Sequence, residues 1–241
     1  SVVTGSAVDG PGMRYVIFMQ GCQYQCKYCH NRDTWDMDAG KLYSVAEIVE
    51  DILSYVNFLD KCGGGVTVSG GEALLQPDFL AVLFMQLKKL NLHTCLDTNG
   101  YVSKHLYGKK LDTILDNTDL VMLDIKHMDN EKHHKLTGVS NELPLKFADY
   151  LHRENLRARV RYVVVPGYTD DIDDIHALAE FIQPMQNIEC LELLPYHKMG
   201  ADKWRSIEGS YPLEHTRLPD AEFMREIKNI IESNHDLQVL L

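Results

Sequence analysis

Apolar, β-rich runs recur about every thirty residues along this chain, and helical patterns fill the intervals between them. A chain with that rhythm is confined to βα units, whose strands lie parallel because each helix carries the chain back across the sheet. Strands are expected at 14–20, 65–69, 93–98, 119–125, 159–165 and 189–194, with a short terminal strand at 236–240. The first helix is the clearest. Ser44 and Glu47 form a capping box ahead of Ile48, Val49, Ile52, Leu53 and Val56 at helical spacing. Pro77 suits the first turn of the next, which runs to Leu90. Further helices are expected near 109–116, 142–155, 172–182 and 219–233. Six βα units fall short of the eight that close a barrel. The pattern therefore predicts an α/β fold, an open partial (β/α)6 barrel of parallel strands with outer helices. No linker, repeat or low-complexity tract divides residues 1–241, so one domain is expected.

Composition narrows the function classes. A net charge of −11 argues against broad binding to phosphate backbones, so no nucleic-acid partner is expected. No run approaches the length of apolar sequence that spans a bilayer, and no basic-then-apolar leader opens the chain. Six cysteines, three of them clustered, suit a reducing cytoplasm better than a disulfide scaffold. The chain starts at Ser1 without a methionine.

The three clustered thiols are Cys22, Cys26 and Cys29, a C-x₃-C-x₂-C run with no fourth cysteine before Cys62. A closed zinc site or a fully ligated iron–sulfur cube takes four protein ligands. Three thiolates within eight residues hold three corners of a [4Fe–4S] cluster and leave one iron open to a small molecule. Zinc is the alternative, with His30 offered as a fourth ligand, and incidental thiols are a third reading. Adjacent residues such as Cys29 and His30 rarely reach one small tetrahedral ion together. The spacing favours the open cluster.

Five polar groups follow strand ends, which in parallel α/β folds face one shared mouth. They are the cysteine loop, Gly70-Gly71-Glu72, Asp97-Thr98-Asn99-Gly100, Asp124-Ile125-Lys126 and Pro195-Tyr196-His197. Glycines after a strand let backbone approach a ligand, or merely make a turn. Glu72 either meets the ligand or braces the loop. Asp97 and Asp124 end apolar strands, where a buried carboxylate needs a cation, hydroxyls or amide donors. Lys126 is either a ligand contact or half of a structural pair with Asp124. Arg161 alternates with Val163 and Val165 toward the interior and needs an anionic or carbonyl partner, for which Asp9 and Glu192 are candidates. Cys62, Cys95 and Cys190 read as structural thiols. The charges at 131–135 and 109–110 read as solvated helix surface.

These motifs together resemble those of pyruvate formate-lyase activating enzymes, a family of radical S-adenosylmethionine (SAM) enzymes. The resemblance rests on Gln20-Gly21-Cys22 through Cys29-His30-Asn31-Arg32-Asp33-Thr34-Trp35. It continues in GGGVTVSGGE at 63–72, CLDTNG at 95–100, VMLDIK at 121–126, RYVVVPG at 161–167 and ELLPYH at 192–197. It implies a (β/α)6 arc and a [4Fe–4S] cluster on Cys22, Cys26 and Cys29. It implies SAM held among Tyr28, Cys29, His30, Gly70, Gly71, Glu72, Asp124, Ile125, Lys126 and His197. A monovalent cation beside SAM is implied on oxygens of Asp97, Thr98, Met122 and Asp124, Met122 offering its carbonyl. Asp9 and Arg161 are implied as a clamp on the substrate backbone, and no side chain is catalytic beyond the cluster and SAM. The implied activity is one-electron cleavage of SAM to a 5′-deoxyadenosyl radical, which takes a glycine Cα hydrogen from pyruvate formate-lyase. Flavodoxin is the implied electron donor, and a cytoplasmic monomer is expected. The rival is an activase for another glycyl radical enzyme. Many of those insert a ferredoxin-like segment with extra cysteines, and none lies between Cys29 and Cys62 here.

Overall fold

One eight-stranded sheet carries the chain, with its strands in sequence order from one edge to the other. The computed structural model describes residues 1–241. The strands are β1 (Val2–Ser6), β2 (Arg14–Met19), β3 (Gly65–Gly70), β4 (His93–Thr98), β5 (Leu120–Asp124), β6 (Ala158–Val164), β7 (Ile188–Pro195) and β8 (Val239–Leu240). From β2 to β8 every neighbour is parallel, while β1 runs antiparallel to β2. The edge strands β1 and β8 do not pair, so the sheet stays open as expected.

Side chains alternate across this sheet as a pleat requires. Tyr15, Ile17, Val66, Val68, Leu96, Val121, Leu123, Val160 and Leu193 join the main apolar core with the helices. The opposite face carries Arg14, Thr67, Cys95, Asp97, Met122, Arg161 and Glu192, linked largely by polar contacts. Arg14 is fully buried at the start of β2. It donates to Thr67 Oγ1 at 2.9 Å, the Val66 carbonyl at 2.6 Å and the Pro11 carbonyl at 3.2 Å. Burial without a paired carboxylate lowers its pKa, yet these acceptors satisfy the guanidinium.

Nine α-helices accompany the sheet: α1 (Val45–Leu53), α2 (Val56–Lys61), α3 (Pro77–Lys89), α4 (Lys109–Leu115), α5 (Asn130–Thr137), α6 (Glu142–Arg153), α7 (Ile172–Ile182), α8 (Ala201–Glu208) and α9 (Ala221–Asn234). The Ser44 capping box forms, with Ser44 Oγ accepting from Glu47 N at 3.2 Å and Glu47 Oε2 accepting from Ser44 N at 2.7 Å. The first expected helix is broken after Leu53, where the chain turns through Ser54 and Tyr55 into α2. No helix is long and apolar enough to cross a membrane.

Strand β1 and helix α8 lie outside the sequence expectation, and α5 is expected only as charged helix surface at 131–135. Strand β1 is an exposed edge containing Gly5, so it lacks the apolar run of the buried strands. Helix α5 is polar almost throughout, and α8 buries only Ala201 and Trp204. Neither helix carries the wide apolar stripe that makes a helix legible.

Candidate active site

The cysteine loop leaves β2 through Gly21, and backbone hydrogen bonds on three sides fix its path. Gly21 N donates to Thr34 O at 2.7 Å, and Glu72 N donates to Gly21 O at 2.7 Å. Farther along, Gln25 N and Lys27 N donate to the carbonyls of Thr137 and Leu136 at 2.7 and 3.0 Å. Helix α5 thus uses carbonyls of its last turn, which have no partner within the helix, to hold the loop.

Cys26 is buried, and Cys22 and Cys29 are half-buried. Burial pushes the Cys22 thiol up to about 12 and raises Cys26 and Cys29 as well. Two side-chain N–H groups already point at the sulfurs, beside the backbone N–H of Tyr24 at Cys22 and of Asn31 at Cys29. Trp35 Nε1 donates to Cys29 Sγ at 3.3 Å, and Asn99 Nδ2 donates to Cys22 Sγ at 3.7 Å. Three soft donors on one loop, supported by hydrogen bonds to sulfur, form a donor set suited to an iron–sulfur cluster. The chain has no group of three His, Cys, Asp or Glu side chains arranged to hold a single metal ion.

Gly70 and Gly71 are glycines because backbone packs against them. A Cβ on Gly70 would lie 2.2 Å from Met19 N, and one on Gly71 would lie 2.1 Å from the Gly21 carbonyl oxygen. Gly70 also has φ +111°, a conformation that side chains disfavour. Glu72 is fully buried, accepting from Leu74 N at 2.9 Å, Thr98 Oγ1 at 2.7 Å and Asn99 N at 2.8 Å. Burial lifts its carboxyl to about 7 against the pull of these donors. Of the two readings open for Glu72, its side chain takes the bracing one, tying the end of β3 to the end of β4.

The carboxylates of the mouth are paired. Asp97 accepts from Ser69 Oγ at 2.5 Å and from Arg161 Nη1 at 3.1 Å. Arg161 Nε lies 3.7 Å from Glu192 Oε2 and has no hydrogen-bond partner. Asp124 accepts from Lys126 Nζ at 2.8 Å. Burial pushes the Asp97 carboxyl above its usual range despite Arg161. At Asp124 burial is outweighed by Lys126 and Arg161, so its carboxyl is lowered. Lys126 Nζ also stands 5.5 Å above the ring of Tyr28, whose buried hydroxyl has no partner. Ile125 and Met122 are buried, Ile125 in the main core and Met122 against Cys95 and Leu120. His30 stacks on His197 with ring centroids 3.9 Å apart, and its Nε2 sits 3.2 Å from the His197 carbonyl. Burial lowers both imidazoles, His30 to about 4.

Asp9 stands apart. It lies in the turn between β1 and β2, at the end of β2 opposite the cysteine loop. The turn folds inward, so that the Asp9 carbonyl accepts from Thr67 Oγ1 at 2.6 Å, and its carboxylate takes the Ser6 hydroxyl. Arg161 pairs with Glu192, as the sequence suggested, and with Asp97, a partner missing from the sequence reading.

Sequence reasoning also missed Ser69, Asn99, Trp35 and Trp204. Trp204 Nε1 donates to the Cys29 carbonyl at 2.8 Å and Trp35 to the Cys29 sulfur, so both tryptophans of the chain converge on one cysteine. Their scarcity was the available signal. Asn99 lay within a run already singled out.

An open parallel sheet with a three-thiol loop at its strand-end mouth defines the class. Residues 16–182 match the Radical SAM superfamily, so the chain belongs to it. The fold agrees with Streptococcus suis SuiB bound to S-adenosylmethionine, at a TM-score of 0.70 and 17% identity over 96% of this chain and 50% of that one. The pyruvate formate-lyase 1-activating enzyme of Escherichia coli K12 is 48% identical over 93% of this chain and 91% of its own length. The pyruvate formate-lyase-activating enzyme of Staphylococcus epidermidis is 44% identical over 100% of this chain and 97% of its own. Within the superfamily, the chain belongs to the pyruvate formate-lyase-activating enzymes.

Proposed function

We propose that this chain installs the glycyl radical of pyruvate formate-lyase, as one domain spanning residues 1–241. The observation that carries the reading is the loop of three thiols, and only three, at the mouth of an open parallel sheet. When bound, the [4Fe–4S] cluster and SAM supply a 5′-deoxyadenosyl radical that takes a hydrogen from a glycine Cα.

The chain's residues bind, orient and exclude water. Cys22, Cys26 and Cys29 ligate the cluster. The backbone from Gly70 to Glu72 lines the methionyl end of SAM, Asp124 and Lys126 meet its polar groups, and Tyr28, His30 and His197 line the adenosine, with Ile125 contributing only backbone because its side chain lies in the main core. Neutral imidazoles at His30 and His197 suit an aromatic, uncharged ligand edge. Asp97, Thr98, the Met122 carbonyl and Asp124 offer hard oxygens to a monovalent cation. Arg161 and Asp9 grip the substrate backbone, and the unpartnered Arg161 Nε is a donor ready for a peptide carbonyl. Flavodoxin is the electron donor in this reading, and the protein acts as a cytoplasmic monomer without nucleic-acid or membrane partners.

Anaerobic mixing of reduced enzyme, SAM and pyruvate formate-lyase deuterated at glycine Cα tests the proposal. Undeuterated substrate should give a glycyl radical doublet, and the deuterated sample should pass deuterium into 5′-deoxyadenosine. SAM cleavage without that transfer would remove pyruvate formate-lyase as the substrate and leave the radical SAM class standing.

The SAM contacts carry a separate prediction. Asp124→Ala or Lys126→Ala should weaken SAM binding with iron content unchanged. Loss of one charge-assisted hydrogen bond costs roughly 1.5–3 kcal/mol, or about ten- to 150-fold in affinity. Wild-type affinity in both variants, measured by equilibrium binding, would reduce the two residues to a structural pair.

A further inference from the structure

Helix α8 and the segment after the third cysteine close on Cys29 from two sides. Trp35 Nε1 donates to the Cys29 sulfur at 3.3 Å, and Trp204 Nε1 donates to the Cys29 carbonyl at 2.8 Å. The two indoles meet edge to face, with centroids 5.1 Å apart and planes at 87°. The Arg32 guanidinium lies over both rings, 4.2 Å from Trp35 and 5.6 Å from Trp204, and pairs with Glu208 at the end of α8. Lys203 Nζ reaches Asp33 at 2.8 Å. At the start of the helix, Gly200 presses so closely on the loop that a Cβ there would lie 2.7 Å from His30 Cα. Gly200, Lys203, Trp204 and Glu208 therefore join this two-turn helix and its cap to five residues of the cysteine loop.

We propose that Trp35 is a tuning residue for the cluster, and that α8 with Trp204 holds its indole N–H against the Cys29 sulfur. The proposal rests on the reading of Cys22, Cys26 and Cys29 as cluster ligands. Reduction by an external one-electron donor adds a negative charge that spreads onto the sulfurs, with no proton taken up. A donor hydrogen bond to sulfur stabilises the more negative state more strongly, and a buried setting enlarges the difference. Trp35 thereby raises the reduction potential and eases charging by a weak reductant. Two of the three sulfurs have a side-chain N–H donor, and the Trp35 bond is shorter than the 3.7 Å bond from Asn99 to Cys22. Trp204 acts through Trp35 and the loop backbone, so it is a positioning residue.

The test is a potentiometric titration of the reduced cluster followed by electron paramagnetic resonance. Trp35→Phe keeps the ring and removes the N–H. At fixed ambient potential its reduced-to-oxidised ratio should fall by up to about tenfold, which is 59 mV for a one-electron couple. Trp204→Phe removes an indole N–H from a carbonyl and should move the midpoint less than half as far. A Trp35→Phe protein with full iron, the reduced-cluster signal and an unmoved midpoint would overturn the proposal and leave the cluster reading intact. Equal shifts in the two variants would also overturn it, since general loosening of the loop would then suffice. Absence of iron and signal in the unaltered enzyme would instead sink the cluster reading itself. A second measurement decides the matter if Trp35→Phe fails to hold iron. Unaltered enzyme carrying nitrogen-15 in both indoles should show one strongly coupled exchangeable proton and nitrogen in the reduced cluster by electron–nuclear double resonance, since the Trp204 N–H is held by a carbonyl. No such coupling would overturn the assignment of Trp35.

Discussion

Cys22→Ala, Cys26→Ala and Cys29→Ala should each abolish reductive cleavage of SAM. Two thiolates cannot hold a cube in one orientation, and the loop offers no replacement ligand: His30 is committed to His197 by stacking and by its contact with the His197 carbonyl. The other thiols are the controls. Cys62 is exposed beyond α2, Cys95 packs against Leu120 and Met122 beneath the mouth, and Cys190 is buried in β7. Alanine at any of these should leave the paramagnetic signal of the reduced cluster in place. The measurement pairs iron content with 5′-deoxyadenosine formed under strong chemical reduction. Loss of the cluster in Cys95→Ala, together with its retention in Cys22→Ala, would show the ligand assignment to be wrong.

How much of this was legible before folding depends on how local each signal is. The parallel strands were readable because they are buried on both faces and return at a fixed interval. Strand β1 was not, since one exposed edge strand with a glycine makes no such run. Helix α5 reads from sequence only as charged helix surface, yet it buries His133 and its carbonyls hold the cysteine loop, so a helix can matter through its end and not its face. The three cysteines were legible at once because their chemistry depends on spacing within a single turn of chain. The groups that tune and brace them were not. Asn99 reaches Cys22 across 77 residues, and Trp204 reaches the Cys29 carbonyl across 175. No local spacing encodes such pairings. Arg161 shows the same limit: an anionic partner was expected, but Asp97 emerged only from the registers of β4, β5 and β6.

Gly71→Ala should lower SAM cleavage at least about a hundredfold, the loss that a misplacement near 1 Å can cause at a reacting centre. The backbone angles at Gly71 are open to alanine, so the conflict is one of space. The added Cβ would lie 2.1 Å from Gly21 O and 2.7 Å from Gly21 C, with Thr34 O at 3.1 Å. All three are backbone atoms of the cysteine loop and its return, so no side chain can swing aside. Relief requires the loop to move, which stretches the 2.7 Å bond from Glu72 N to Gly21 O. That bond couples the thiol loop to Glu72, and Glu72 in turn grips Thr98 and Asn99. One methyl group would therefore displace the cysteines and two other strand ends together. Overpacking of this kind costs about 1–3 kcal/mol of stability, which a fold of this size tolerates. The variant should remain folded by circular dichroism while SAM affinity and cleavage collapse. Wild-type cleavage in Gly71→Ala would mean that the loop shifts without consequence, and the double glycine would then be no more than a turn.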